Sequence, residues 1–223
     1  MKAYDLTAQI DDKLWYYGPP YIPYETEQLA TIEKNGYNTA KHVLTSHCGT
    51  HIECARHWSD SGESIEQIPP EETVGPARVL KLNGAVQPLY AIGPESLISA
   101  GGEKLQPGEI CIIATGWDSH LNEEDYTWKS PFLTMEGAAY LVGKGIKLIA
   151  MDTPMIGDPR DGMDFVPKGT ALPDLVCLNA GVHYILGLVG AAALPEQVFF
   201  CGQPLKLAGS DGSPIRALAI EDL

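Results

Sequence analysis

The chain has 223 residues. A domain of roughly 200 residues buries about 70% of its unfolded surface, so neither a disulfide nor a structural metal is needed to hold it. Hydrophobic residues at 44% and charged residues at 20% exclude a disordered or low-complexity chain, and 15 basic against 29 acidic residues give a net charge of −14, which excludes the positive field that a nucleic acid or an anionic membrane requires.

The opening residues Met1-Lys2-Ala3-Tyr4-Asp5 lack the apolar core of a signal peptide, and a cytoplasmic location is expected. Tyr4 to Ile10 reads as a first strand. Trp15-Tyr16-Tyr17-Gly18-Pro19-Pro20-Tyr21 is aromatic and Pro-rich, and its paired prolines forbid helix and favour an extended arm. Two readings of its aromatics stand: they line a pocket or a subunit contact, or they pack over one end of the core. The first raises the expectation of a homodimer or homotetramer. Val43 to Ser46 reads as a strand entering a His-rich stretch. Ala77 to Leu82 is a further strand, and Glu109 to Thr115 a clearer one that stops at Gly116.

Thr134 is placed to N-cap a helix with Glu136 in its first turn and an end near Gly143 to Gly145. Lys147 to Met151 then reads as a buried strand, which makes a βαβ unit. Leu172 to Ala180 is a candidate helix stopped by Gly181, and Tyr184 to Val189 is strand-like. Leu175 to Pro195 has no charged residue, but Asn179, His183 and three glycines interrupt it. It reads as buried helix, loop and strand rather than as a membrane span. Val198 to Cys201 and Ile215 to Ile220 are late strands, with a turn cluster, Gly209-Ser210-Asp211-Gly212-Ser213, between them. No repeat and no low-complexity linker divides the chain. The expectation is one α/β domain over residues 1–223, sheet-rich, with an arm within residues 1–30. The five cysteines are scattered with no Cys-x-x-Cys pair and read as free, mostly buried thiols.

Four of the six histidines fall between residues 42 and 57. The segment runs His47-Cys48-Gly49-Thr50-His51-Ile52-Glu53-Cys54-Ala55-Arg56-His57. On a strand, His51 and Glu53 face the same way. Gly49 suits a turn that folds His47 back beside them. Two imidazoles and one carboxylate are the donor set of an open catalytic site for zinc or manganese, with a position left for water. His57 is placed either to move a proton or to bind a second ion bridged by Glu53. His42 reads as structural, His120 as a surface residue, and His183 as a satisfied core histidine. Trp15, Tyr17, Tyr21 and Trp58 are candidate pocket walls. Arg56 and Lys206 are candidate partners for a substrate carboxylate, and the Gly49-Thr50 backbone or the Thr50 hydroxyl is a candidate support for the ligands.

This segment resembles the signature of the metal-dependent cyclase family, the group of bacterial kynurenine formamidases, isatin hydrolases and a zinc-dependent dienelactone hydrolase. The family pattern is His-x-Gly-Thr-His-x-Asp-x-Pro-x-His. His47, Gly49, Thr50, His51 and His57 match it; Glu53 replaces Asp and Ala55 replaces Pro. Asp5-Leu6-Thr7, Thr115-Gly116-Trp117-Asp118, Met151-Asp152-Thr153-Pro154, and Pro204 to Leu207 followed by Gly212 to Arg216 resemble the family's other landmarks in order. The resemblance implies a swivelling β/β/α-type fold, usually oligomeric, in which a metal-activated water attacks an amide or lactone carbonyl. It also implies a late His and a Glu twelve residues on. Those places fall on Asp174 and Leu186, which favours one divalent ion over two. Asp174 is left as a substitute acid/base or as a charge at a helix N-terminus. Three functions follow: a metal-dependent hydrolase of a small amide, imide or lactone; a lyase, isomerase or dehydratase on the same site; or a non-catalytic metal- or ligand-binding relative.

Overall fold

The run Ile110-Cys111-Ile112-Ile113-Ala114 is buried along its whole length, as expected of a parallel strand covered on both faces. In a computed structural model, which describes residues 1–82, 84, 87–161 and 172–221, this run is β7 of a nine-stranded sheet. The strands are β1 (Lys2–Asp5), β2 (Glu25–Ala30), β3 (Thr39–Val43), β4 (His51–Glu53), β5 (Val74–Lys81), β6 (Ala91–Ile92), β7 (Ile110–Ala114), β8 (Phe132–Leu133), β9 (Leu148–Met151), β10 (His183–Leu186), β11 (Gln197–Cys201), β12 (Gly212–Pro214) and β13 (Leu218–Glu221). The helices are α1 (Ile32–Asn35), α2 (Pro94–Ser99), α3 (Met135–Gly143) and α4 (Pro173–Asn179). The main sheet has the order β1-β13-β11-β5-β7-β9-β10-β4-β12. Its centre, β5-β7-β9-β10, is parallel and its flanks are antiparallel.

Side-chain alternation divides the core between the two faces of this sheet. Ile110, Ile112, Leu148, Ala150, Ile185 and Ile52 pack on one face with Leu6, Ile65 and Phe200. Cys111, Ile113, Ile149, Met151, Tyr184 and Leu186 pack on the other with Leu97, Leu141 and Cys177 of the helices. Each fully buried isoleucine contributes about 2 kcal/mol of transfer free energy. Thr134 caps α3, its side chain accepting from the Gly137 amide at 3.0 Å, and β7, α3 and β9 form the expected βαβ unit with a parallel register. Gly181 is left-handed (φ +75°) and ends α4 where the sequence places the stop.

Three strands differ from expectation. The first ends at Asp5, whose Oδ1 accepts from the Thr7 amide and turns the chain, so only Thr7 of the next residues bridges to Leu188. The strand expected over Val43 to Ser46 lies earlier, at Thr39–Val43. The strand expected over Ile215 to Ile220 is split. Pro214 ends β12 beside β4, and four residues later β13 pairs with β1 and β11 at the far end of the strand order. Four peptide steps span at most about 14 Å, so the sheet is curled enough to bring its ends together. The Leu6 amide donates to the Ala217 carbonyl, which continues the β1–β13 ladder, and the Leu6 carbonyl accepts from the Val189 amide just after β10.

β2 and β3 form a separate hairpin with α1 at its tip, and Leu29, Ile32 and Tyr37 on it are exposed. Cys48, Cys54, Cys111 and Cys177 are buried free thiols and Cys201 is partly buried. Among the described residues no helix is long and apolar enough to cross a membrane.

Candidate functional site

β4 carries the site because of its register. Tyr184 lies opposite Glu53, Ile185 opposite Ile52 and Leu186 opposite His51. Ile52 therefore joins the core, while His51 and Glu53 emerge on the other face beside Tyr184 and Leu186. The preceding turn depends on Gly49, which is left-handed at φ +62°. A side chain at Gly187 would have its Cβ 3.0 Å from the Gly49 carbonyl oxygen, so this glycine allows the two loops to touch. Thr50 ties them together: its hydroxyl donates to the Gly187 carbonyl at 2.6 Å and accepts from the Ala8 amide at 2.8 Å. That hydroxyl braces backbone and touches no histidine. The turn meets His51 through the Gly49 carbonyl, which lies 2.8 Å from His51 Nδ1.

His47, His51 and Glu53 come together as a buried triad whose ligating atoms all lie within 4.8 Å of one another. Glu53 Oε1 is 3.2 Å from His47 Nδ1 and 3.2 Å from His51 Nε2. Burial pushes the His51 imidazole below its ordinary value, so it is neutral. A neutral ring has one hydrogen for two acceptors; given to the nearer one, the Gly49 carbonyl at 2.8 Å, it leaves a bare Nε2 facing a carboxylate oxygen 3.2 Å away. Two acceptors pointed at each other call for a cation between them, so the residues present fit a divalent ion. Burial also opposes the charge on Glu53, but His47 and His57 outweigh it and hold the carboxyl well below its usual range. Burial likewise pushes His47 down, but Glu53 and Asp211 outweigh it and lift its pKa to about 9.

The second oxygen of Glu53 belongs to a different network. Oε2 accepts from the Tyr184 hydroxyl at 2.9 Å and is 3.9 Å from His57 Nε2. Trp58 Nε1 donates to the Tyr184 oxygen at 3.2 Å, and Asp174 Oδ1 lies 3.2 Å from the same oxygen. Tyr184 has a single hydrogen and Glu53 is ionised, so the contact with Asp174 is a hydrogen bond only if Asp174 supplies its own proton. Burial first, and the Glu53 charge second, push the Asp174 carboxyl up to about 7, in agreement with that proton count.

A cavity of about 360 Å³ opens onto these groups. His47, Glu53, His57 and Asp174 line it, with Tyr17, Tyr21, Trp58, Met155, Ile156, Leu172 and Leu186 as apolar walls. Of the four aromatics expected there, Trp15 is the exception. It sits behind the wall, against Tyr17 and Tyr126, with its ring 6.5 Å from His51. Arg56, bonded to the Asp60 carbonyl, and Lys206 do not line the cavity. Asp158 and Asp161 do.

The other histidines lie apart. His42 bonds the Tyr24 hydroxyl on the exposed hairpin. His120 stacks on Trp117 and is only partly exposed. His183 is buried but not satisfied: its Nδ1 has no partner among the described residues, while Nε2 is 3.5 Å from Glu63.

Two residues of the site escape sequence reasoning. Tyr184 sits in an apolar run and reaches Glu53 only through strand pairing. Asp211, in the turn before β12, lies 2.9 Å from His47 Nε2 and 3.0 Å from His57 Nδ1. The one signal for it is its place in the Gly209 to Ser213 turn cluster.

Comparison with known proteins agrees with this architecture. The family model described as "Putative cyclase" matches residues 4–158. Kynurenine formamidase from Bacillus cereus is 28% identical over 201 residues, covering 90% of this chain and 88% of the relative. Isatin hydrolase A from Ralstonia solanacearum superposes with a TM-score of 0.86 at 21% identity, over 99% of this chain and 92% of that one. Isatin hydrolase A from Labrenzia aggregata gives 0.85 at 23% identity, over 99% and 94%.

Proposed function

The chain belongs to the cyclase family, and on that premise we propose that it is a metal-dependent hydrolase that opens a small amide, with imides and lactones as related substrates. The observation that carries this reading is the convergence of His47 Nδ1, His51 Nε2 and Glu53 Oε1 beneath an apolar cavity that also holds Asp174, a buried carboxyl whose pKa burial and the Glu53 charge push up to about 7. Relatives named for a formamide and for isatin support the amide bond as the target.

His47, His51 and Glu53 hold the ion. When bound, a divalent ion supplies Lewis acidity, polarising a carbonyl and bringing the pKa of water toward about 7. His57 Nε2 accepts the proton that water gives up on adding to the carbonyl carbon. As the C–N bond breaks, Asp174 donates its proton to the leaving nitrogen, and the products are a carboxylate and an amine. Tyr17, Tyr21 and Trp58 hold a planar substrate edge against the apolar wall and keep bulk water out. Tyr184 keeps Glu53 Oε2 occupied, so that Oε1 is the oxygen turned to the ligand histidines.

One ion rather than two is supported by Leu186, which lines the cavity beside His51 and offers no donor atom. Two nitrogens and one oxygen suit zinc and manganese alike. The exposed hairpin, with Leu29, Ile32 and Tyr37 outward, supports assembly into a homodimer or homotetramer. A light-scattering mass equal to that of one chain, 24.1 kDa, would refute that assembly. Free buried thiols support a reducing, cytoplasmic setting.

The test is turnover of formanilides, lactams, cyclic imides and lactones in water enriched in oxygen-18. Metal-loaded protein is expected to place one labelled oxygen in the carboxylate product. Product without label points to a lyase or isomerase, and no turnover across the panel refutes the enzyme reading.

A further inference from the structure

One residue outside the ligand set touches two of the functional rings. We propose that Asp211 is a positioning residue that fixes the tautomers of His47 and His57 together, so that His47 keeps Nδ1 for the ion and His57 presents a bare Nε2 to the cavity. The proposal rests on the hydrolase reading for what those two nitrogens do, and on geometry alone for how they are set.

A single oxygen, Asp211 Oδ2, lies 2.9 Å from His47 Nε2 and 3.0 Å from His57 Nδ1. A carboxylate only accepts, so both nitrogens carry hydrogen. In a neutral imidazole the other nitrogen is then bare. For His47 that is Nδ1, 3.2 Å from Glu53 Oε1. For His57 it is Nε2, 3.9 Å from Glu53 Oε2. Once His47 has given up its second proton to make room for the ion, the two rings are held in opposite tautomers by one atom, with His47 Nδ1 left for the ion and His57 Nε2 directed to Glu53. His51 is set independently by the Gly49 carbonyl.

The turn that carries Asp211 is built to press on these rings. The Cys54 amide donates to the Asp211 carbonyl at 3.2 Å, and the Ile65 amide to the Ser210 carbonyl at 3.0 Å. Ser210 Oγ donates to the Gly212 carbonyl at 2.7 Å, and Gly212 pairs opposite Glu53. A Cβ at Gly212 would stand 3.3 Å from His47 Cε1 and 3.0 Å from the Ile52 carbonyl oxygen. A side chain there would have to push the turn or the His47 ring back by a few tenths of an ångström. The same three residues, His47, His57 and Asp211, are also near enough to hold a second cation. That arrangement requires His47 to bind metal through both nitrogens and leaves it no hydrogen, which makes positioning the simpler role.

The experiment uses full-length protein loaded with zinc, a diamagnetic probe, and labelled with nitrogen-15 in histidine. Ring nitrogen shifts report tautomers, and competition with a chromogenic chelator reports zinc affinity. Wild type is expected to show His47 protonated at Nε2 and His57 at Nδ1. Asp211→Leu is expected to mix the His57 tautomers and to lower zinc affinity about 10- to 100-fold, as the loss of such a supporting acceptor does. Asp211→Asn keeps an accepting carbonyl in nearly the same shape and is expected to recover the tautomers and most of the affinity. Gly212→Ala, which leaves Asp211 in place but pushes the turn outward, is expected to behave like Asp211→Leu. Unchanged tautomers and affinity in Asp211→Leu overturn the proposal. So does a second zinc equivalent in wild type that Asp211→Leu loses, since Asp211 is then a ligand. Failure of the hydrolase reading is distinguishable: it leaves the tautomers as expected while no amide is turned over.

Discussion

Replacing Asp174 with asparagine is expected to stabilise the metal-free protein at alkaline pH while removing activity. The carboxyl is only 8% exposed, and burial and Glu53 push its pKa from 3.8 to about 7. A carboxyl raised in this way holds a proton in the folded state that it gives up when unfolded. The stability it contributes is complete below pH 3.8 and is lost as pH rises through about 7. At about 1.4 kcal/mol per pH unit, the full window is worth about 4 kcal/mol, and the part between pH 5 and pH 8 roughly 2–3 kcal/mol. Asparagine has the same shape and does not titrate, so its stability relative to wild type should grow by that amount across the interval. The lost bond to Tyr184 offsets about 1 kcal/mol at every pH. Urea unfolding of both proteins at pH 5, 6.5 and 8 measures the difference. Activity should fall by about 100-fold, because the leaving nitrogen no longer receives a proton. A constant stability difference from pH 5 to 8 would mean that Asp174 is ionised throughout and would falsify its assignment as the acid.

His51→Ala removes one of the three proposed ligands and is expected to abolish both bound metal and turnover; full activity in that variant without metal refutes the site. Metal uptake should release protons. Burial lowers the His47 pKa, but Glu53 and Asp211 outweigh it and raise it from 6.5 to about 9, so at pH 7.5 the metal-free ring is charged and must lose a proton to bind. Affinity should therefore rise with pH and flatten above about 9, with close to one proton released, measured by calorimetry in buffers of different ionisation enthalpy. Gly187→Ala places a side chain at φ +70°, 3.0 Å from the Gly49 carbonyl oxygen. It is expected to cost about 2 kcal/mol and to lower Tm by about 4–8 °C in a thermal melt.

The parts of this molecule that can be read from sequence are those whose determinants are local. β7, α3 and β9 follow from an apolar run, a Thr134 cap and a second apolar run, all within about forty residues. The clustering of His47, His51 and Glu53 is legible for the same reason: they occupy one turn and one short strand, and their same-face spacing survives folding. What cannot be read is what pairing brings in. Tyr184 meets Glu53 through the β4–β10 register, and Asp211 meets His47 from 164 positions away. Nothing in the spacing of either residue marks it. The split near Pro214 belongs to the same class, because the curl of the sheet decides it. Proximity along the chain groups Trp15 with Tyr17 and Tyr21, yet its ring packs against Tyr17 and Tyr126 rather than lining the cavity.

The most direct test of the metal-hydrolase account is metal content by elemental analysis on gently purified wild type and Glu53→Ala protein, paired with amide turnover before and after chelation. The account predicts about one equivalent of zinc or manganese in wild type, its loss in Glu53→Ala, and turnover that disappears on chelation and returns with the ion. Wild type that takes up no divalent ion even after incubation, or that hydrolyses amides equally well without one, would contradict it.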